Sequence, residues 1–398
     1  MSTLSLTVSG APRSSASTGR RGIAQTRVVV FLTRGMSLER WHRAGILERE
    51  LAFYQALRAR VGALELVSYG DRGERGFLGQ LGGLRLLANR WRLDSNLYSL
   101  AAPLMHASAI RQASVLRTHQ LNGAWAAAIA KSLFGKKLIV RCGYIWSAFL
   151  ERESRNPWRR GVVRRLEAWV LKAADRVVVA TEPDRDYLIQ RYGIAPGKIA
   201  VIPNYVDVER FRPMPSVERQ PGLICFVGRL EEQKNPIALL EAMRGLAGAK
   251  LLMIGDGPLK ASLQRKARER SVPVEFLGNV ANDRLPELLN RAQLFALPSR
   301  YEGNPKALLE AMACGLPVIA ARVPGVDQVI RHGKTGYVCE PGWQALHAGI
   351  RELLADPQRR AELGAAARES VVQSCSLERI VEQELELLHE VTQGNGRD

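Results

Sequence analysis

Two glutamates, Glu302 and Glu310, stand eight residues apart in the stretch SRYEGNPKALLEAMACGLPVIA, residues 299–320. On a helix of about 3.6 residues per turn that spacing leaves an offset of roughly 80°, so both carboxylates can address one ligand from different depths. Asn304 is a favoured N-cap and Pro305 suits a first turn, so a helix is expected over 305–314, ended by Gly315 and Pro317. The free N–H groups of Gly303, Asn304, Lys306 and Ala307 would then offer the positive end of the helix to an anion or an electron-rich oxygen. The plain alternative is a solvent-facing Glu310 and an ordinary loop charge at Glu302. Leu308, Leu309, Met312 and Ala313 already supply the buried face, which leaves the glutamates free for a ligand.

Two further loops carry compatible chemistry. In GRLEEQKNP, Gly228 permits close approach of a ligand to the backbone, and Arg229 with Lys234 sets two cations before the next helix. A fixed cation pair is what a departing diphosphate requires where no metal neutralises it. Gly255-Asp256-Gly257-Pro258 is a second close-approach turn before a helix. Three glycine-bearing turns of this kind make a nucleoside-diphosphate site the leading expectation.

The elements that must position these loops are legible as alternating periods. Short apolar runs, expected as strands, occur at 27–33, 64–69, 114–118, 137–141, 176–180 and 199–202, and again at 223–227, 250–254, 274–277, 294–297 and 317–320. Amphipathic stretches lie between them, the pattern of parallel sheets covered by helices. The fold class expected is α/β, two doubly wound Rossmann-like domains facing each other across a cleft, with ligands outside the carboxyl ends of the strands. Four prolines in 203–222 break the rhythm. They suggest a first domain over 26–205, a linker over 206–222, a second domain over 223–375, and a C-terminal helix over 376–398 that packs back on the first domain.

Composition narrows the partners. The five cysteines show no CxxC spacing or Cys/His cluster, which reads as reduced thiols rather than a disulfide framework or zinc site. The formal charge of +18 is unevenly held: residues 1–220 carry 35 Lys and Arg against 17 Asp and Glu, and residues 221–398 carry 22 against 22. The first half therefore suits an anionic surface, whether nucleic acid, membrane or a phosphorylated acceptor, unless its charge serves solubility alone. Residues 1–25 read as a disordered basic tail without the apolar core of a secretory signal. No apolar run approaches the ~18 residues of a membrane span.

These motifs together resemble the retaining, GT-B-fold glycosyltransferases of family 4 (glycosyl transferases group 1), through FVGRLEEQKNP, MIGDGP, FLGNV, IPNYVD and the Glu-x7-Glu segment. The resemblance is specific across the second domain and thins in the first. It implies that Arg229 and Lys234 clamp the donor diphosphate and that Glu302 sits against the transferred sugar. Backbone of Gly303, Asn304, Pro305 and Lys306 would line the donor, Glu310 would hold the ribose hydroxyls, and Asn279 and Val280 would border the base. Gly228, Gly255, Gly257 and, from the first domain, Gly35 are the implied close-approach residues; Gly35 could equally serve only a tight turn.

Where the family has a large apolar residue and Pro after Glu-Gly, this chain has Asn304-Pro305-Lys306. Where it often has a first-domain histidine, this chain has Arg141, with His119 the nearest substitute on the acceptor side, catalytic or merely structural. No metal or other cofactor is expected, the donor being a UDP- or GDP-sugar. Asp184-Arg185-Asp186 is formally a metal-binding DxD, but acidic first-turn residues of a helix explain it.

The activity implied is metal-independent transfer to a growing, lipid-linked or oligosaccharide acceptor of a cell-surface glycan. The expected location is cytoplasmic, with a peripheral place on the inner face of the membrane open to it. For the segment 158–172 the expectation is that Trp158 and Trp169 pack on the sheet while the arginines face anionic lipid. A basic nucleic-acid-binding α/β protein, or an inactive relative acting as a membrane partner, are the alternatives. The first lacks aromatics among its basic residues, and the second is disfavoured by the presence of Arg229, Lys234, Glu302 and Glu310, so no nucleic-acid partner is expected.

Overall fold

A computed structural model describes residues 22–147, 150 and 156–394. The strands form two sheets. β1 (Arg27–Phe31), β2 (Ala63–Val67), β3 (Arg85–Leu87), β4 (Val115–Thr118), β5 (Lys137–Cys142), β6 (Arg176–Val179) and β7 (Ile199–Val201) lie in the order β3-β2-β1-β4-β5-β6-β7. β8 (Leu223–Val227), β9 (Lys250–Ile254), β10 (Val274–Gly278), β11 (Leu294–Leu297), β12 (Val318–Ala321) and β13 (Tyr337–Cys339) lie in the order β10-β9-β8-β11-β12-β13. The pairing is parallel throughout both sheets. Strands covered on both faces must be apolar along their length, and RVVVF of β1 and LFAL of β11 meet that demand. Each sheet reverses its winding once, between β1 and β4 and between β8 and β11, which opens the crevice where such folds take ligands. β3 and β13, three residues each, were not among the expected strands.

Alternation along β1 divides the first core. Val28 and Val30 point to a cluster shared with α1 (Leu47–Arg58) and α7 (Leu377–Gln393). Val29 and Phe31 point to a cluster shared with α2 (Ser95–Met105), α3 (Ala124–Phe134) and α4 (Pro157–Ala173). α3 packs between α2 and α4, so the three form one layer on one face of the sheet. α5 (Lys306–Ala313) and α6 (Pro357–Cys375) cover the second sheet. The two strands of chain that join the domains are tied together: Val206 N–H donates to Cys375 O at 2.8 Å, and Leu377 N–H donates to Val206 O at 2.9 Å. Beyond that crossing α7 lies on the first sheet, where Glu384 accepts from Arg117 Nε at 2.8 Å and Nη2 at 3.1 Å, both side chains fully buried.

One expectation is overturned on α4. Trp158 is 77% exposed and Trp169 43% exposed, not packed on the sheet. The helix carries two apolar rows, and the row Val163, Glu167, Val170 and Leu171 occupies the sheet side. The row through Trp158, Val162 and Trp169 is thereby turned outward. Asp184 serves a helix terminus: Thr181 caps its N–H at 3.2 Å, and the Thr181 hydroxyl donates to its carboxylate at 2.7 Å. The expected tail over 1–25 lies, through residue 21, outside the described residues.

Candidate active site

Loops from the ends of β8, β11 and β12, all strands of the second sheet, meet at Glu302. β11 delivers it on a short loop, and its Oε1 accepts from Lys234 Nζ at 2.6 Å and from Ser299 Oγ at 2.6 Å. Lys234 arrives from the loop after β8, so the cation and carboxylate foreseen as separate donor contacts form one half-buried pair. Two further bonds brace the loops against each other: Arg300 N–H donates to Gln233 O at 2.9 Å, and Gln233 Nε2 donates to Tyr301 O at 3.1 Å. Arg229 extends into solvent, 74% exposed, held loosely by Glu231 at 3.0 Å. Gly325 was not foreseen. A Cβ there would stand 1.8 Å from Gly303 O and 2.4 Å from Glu302 O, so only glycine lets the turn after β12 support the Glu302 loop. The Pro-Gly pair at 324–325 is a turn signal, yet nothing in it names the loop it touches.

The glycine turns pack on each other. A Cβ at Gly255 would lie 2.1 Å from Gly228 O, and one at Gly257 would lie 2.5 Å from Leu230 O. Their bareness is required by contact between the loops after β8 and β9, which sets the floor of the cleft. Gly35 has φ +76°, and a Cβ built there would face Arg40 and Ser95 of its own domain. Val280 reaches the first domain, its carbonyl 3.0 Å from where a Cβ of Gly45 would be, while Asn279 is exposed.

α5 starts at Lys306, one residue later than expected, and Asn304 does not cap it. Asn304 instead spans the cleft: its Oδ1 accepts from Asn204 N–H at 2.9 Å, and its carbonyl accepts from Asn204 Nδ2 at 2.6 Å. A side chain committed to another domain cannot also bond its own helix. Lys306 likewise crosses over, its Nζ donating to Glu50 Oε1 at 2.8 Å above the Tyr205 ring. Glu310 is buried rather than solvent-facing, and Arg49 Nη1 lies 3.5 Å from its Oε1. Tyr205 closes the group, stacked on Phe53 and donating to Arg49 O.

Electrostatics follow from this burial. Desolvation alone would raise the Glu50 carboxyl, but Lys306 and Arg49 outweigh it and hold the group well below the usual carboxylate range. Glu310 goes the other way: burial raises it, with Arg49 and Lys306 offsetting only part. Lys306 is pushed down by burial, against the pull of Glu50. His119 shares a 2.7 Å hydrogen bond between Nδ1 and the Tyr54 hydroxyl. Burial, aided by nearby Lys306, Arg117 and Arg141, lowers it to about 4 despite Glu50, so the ring is neutral near pH 7 and its 3.8 Å approach to Glu50 is no ion pair. Arg141 is buried at the end of β5, with Asn204 Oδ1 at 3.2 Å and Pro203 O at 3.3 Å. Glu50, His119, Arg141, Asn204, Tyr205 and Lys306 line one pocket. Sequence reasoning missed Arg49 and Glu50 as site residues, because in LERELAFY the acids read as an ordinary helix first turn, and it met Asn204 and Tyr205 only as part of the IPNYVD motif.

The family models match in tandem: that described as Glycosyltransferase Family 4 covers residues 51–210, and that described as Glycosyl transferases group 1 covers residues 207–370. The chain belongs to the family 4, group 1 glycosyltransferases. A D-inositol 3-phosphate glycosyltransferase of Acidothermus cellulolyticus is 31% identical over 68% of this chain and 66% of its own length. An alpha-maltose-1-phosphate synthase of Mycolicibacterium smegmatis is 26% identical over 75% of this chain and 84% of its own length. Among solved structures, Anabaena Alr3699/HepE in complex with UDP and glucose superposes with a TM-score of 0.73 at 20% identity, over 91% of this chain and 99% of that one. Sucrose-phosphate synthase of Thermosynechococcus elongatus superposes with a TM-score of 0.75 at 20% identity, over 92% and 100%. The fold is GT-B. No described helix is long and apolar enough to cross a membrane.

Proposed function

We propose that this chain transfers a sugar, with retention of configuration, from a nucleoside-diphosphate sugar to a lipid-linked or oligosaccharide acceptor of a cell-surface glycan. The observation that carries the reading is the Lys234–Glu302 pair, 2.6 Å apart at the carboxyl ends of β8 and β11 and beside the N-terminus of α5. Both hydrogen bonds to Glu302 end on Oε1, which leaves Oε2 to orient a sugar hydroxyl. Lys234 and Arg229 would meet the diphosphate, whose charge grows as the bond from phosphate oxygen to C1 breaks, and supply the stabilisation that a metal supplies elsewhere. The acceptor oxygen forms its bond to C1 on the face the diphosphate leaves, and its proton passes to the departing phosphate oxygen. Glu310 would hold the ribose, once Arg49 gives way to it. The neutral His119 and the buried Arg141 would face the acceptor side.

Homologues named as users of sugar nucleotides, such as a GDP-mannose-dependent mannosyltransferase of Mycobacterium tuberculosis, support the donor class. Titration calorimetry of the whole chain with UDP and GDP, without added metal, tests it. Binding of one of them, weakened by K234A, is expected; heat from neither would remove the reading.

A further inference from the structure

The outward row of α4 is part of a larger surface. On α2, Leu97, Leu100 and Leu104 follow the i, i+3, i+7 rule on the side away from the sheet and are 50–66% exposed. Leu133 of α3 is 55% exposed, and Trp158, Val162 and Trp169 of α4 continue the layer. Among the described residues, the second domain exposes only Trp343 and Val372 of comparable size. Apolar exposure on this scale, gathered on one layer of three adjacent helices, is the mark of an interaction site.

Charge identifies the partner. Among the described residues of α2, α3 and α4 the only carboxylate is Glu167, which is buried against Ser147 N–H at 2.9 Å and the Tyr192 hydroxyl at 2.6 Å. The outer side of α4 instead carries Arg159, Arg165 and Lys172, exposed along the tryptophan row. Two copies of such a face repel each other, since each would set cations against cations. An anionic bilayer answers both properties: leucines and indole rings enter the headgroup boundary while arginines meet lipid phosphates. Geometry gives the docking a purpose. Helices that return antiparallel to parallel strands begin at the strands' carboxyl ends, so Leu97 and Trp158 lie toward the cleft. Near the start of α2, Asn96 Oδ1 accepts from Arg34 Nη1 of the loop after β1 at 2.7 Å.

We propose that the outer face of α2, α3 and α4 docks on an anionic lipid bilayer, placing the rim of the cleft at the lipid surface. The purpose of that placement rests on the proposed lipid-linked acceptor; the docking itself does not. The test is flotation of the full chain with phosphatidylcholine vesicles, with and without phosphatidylglycerol. Binding to the anionic vesicles, released by salt, is expected. R159Q with R165Q should lower the partition coefficient about 25-fold, roughly five-fold per charge removed. W158A should lower it about ten-fold through lost apolar insertion. Nucleotide release from a soluble donor should be unchanged in these surface variants, which shows that they are folded. Absence of flotation on anionic vesicles at low salt would overturn the proposal, as would flotation indifferent to both changes. Lipid-free self-association abolished by L100S would also overturn it and make the face a contact between copies. Flotation without any nucleotide release would remove the enzymatic reading and leave the docking standing.

Discussion

Replacing Glu384 with Gln removes the counter-charge of Arg117 at a point where neither side chain reaches water. Two charge-assisted hydrogen bonds, at 2.8 and 3.1 Å, are lost or weakened, and the guanidinium is left beside Arg141, itself buried and hydrogen-bonded to Pro203 O and Asn204 Oδ1 rather than to a carboxylate among the described residues. Breaking one partner of a buried pair costs about 3–5 kcal/mol, a large part of a typical stability of about 5–15 kcal/mol. Replacing both partners by apolar residues, R117M with E384L, removes the desolvation cost along with the attraction and should return stability to within about 1 kcal/mol of wild type. Urea unfolding at pH 7, followed by tryptophan fluorescence and far-ultraviolet dichroism, measures both. Because α7 carries Glu384 across from the second domain to the first, the single variant should also raise proteolytic cleavage near residue 376. A loss under 1 kcal/mol for E384Q, or a double variant no better than the single one, would refute the assignment of this pair as the tie that holds α7.

Three further outcomes are expected. G325A should displace the Glu302 loop, costing about 1–3 kcal/mol in urea unfolding and most of the turnover, because its Cβ has no room beside Gly303 O; wild-type values for both would contradict the contact. His119, lowered to about 4 in the folded chain, keeps its full contribution above the unfolded value of 6.5 and loses it as pH falls toward 4. Relative to H119Q, the wild type should therefore lose about 2 kcal/mol by pH 5, and parallel stability profiles would show that the ring is not buried neutral. A K306M, E50Q double-mutant cycle in urea should return a coupling energy of about 1–3 kcal/mol, since Nζ and Oε1 are 2.8 Å apart; additive effects would deny the bond across the cleft.

How much of this was written in the sequence depends on how far apart the partners are. Strands such as RVVVF and LFAL announce themselves, because a doubly covered parallel strand needs apolar residues at every position. Gly315 ends α5 with a positive φ as its context requires. Lys234 and Glu302 were legible as chemistry, though their pairing was not, because 68 residues separate them and only the order of β8 and β11 brings them together. Glu50 and Arg49 were illegible for the same reason in stronger form: their partners Lys306 and Glu310 belong to the other sheet. α4 misled because it bears two apolar rows, and periodicity cannot say which row a sheet will take.

The central claim is that Lys234 and Glu302 sit at the reacting end of a nucleoside-diphosphate sugar. Release of free nucleoside diphosphate from a panel of sugar nucleotides, without added metal, tests it most directly when wild type, K234A and E302Q are compared at matched folding. At least one donor should turn over, and each substitution should lower the rate about 100-fold or more while the thermal unfolding curve keeps its cooperativity. Turnover in K234A and E302Q equal to that of the wild type would contradict the account.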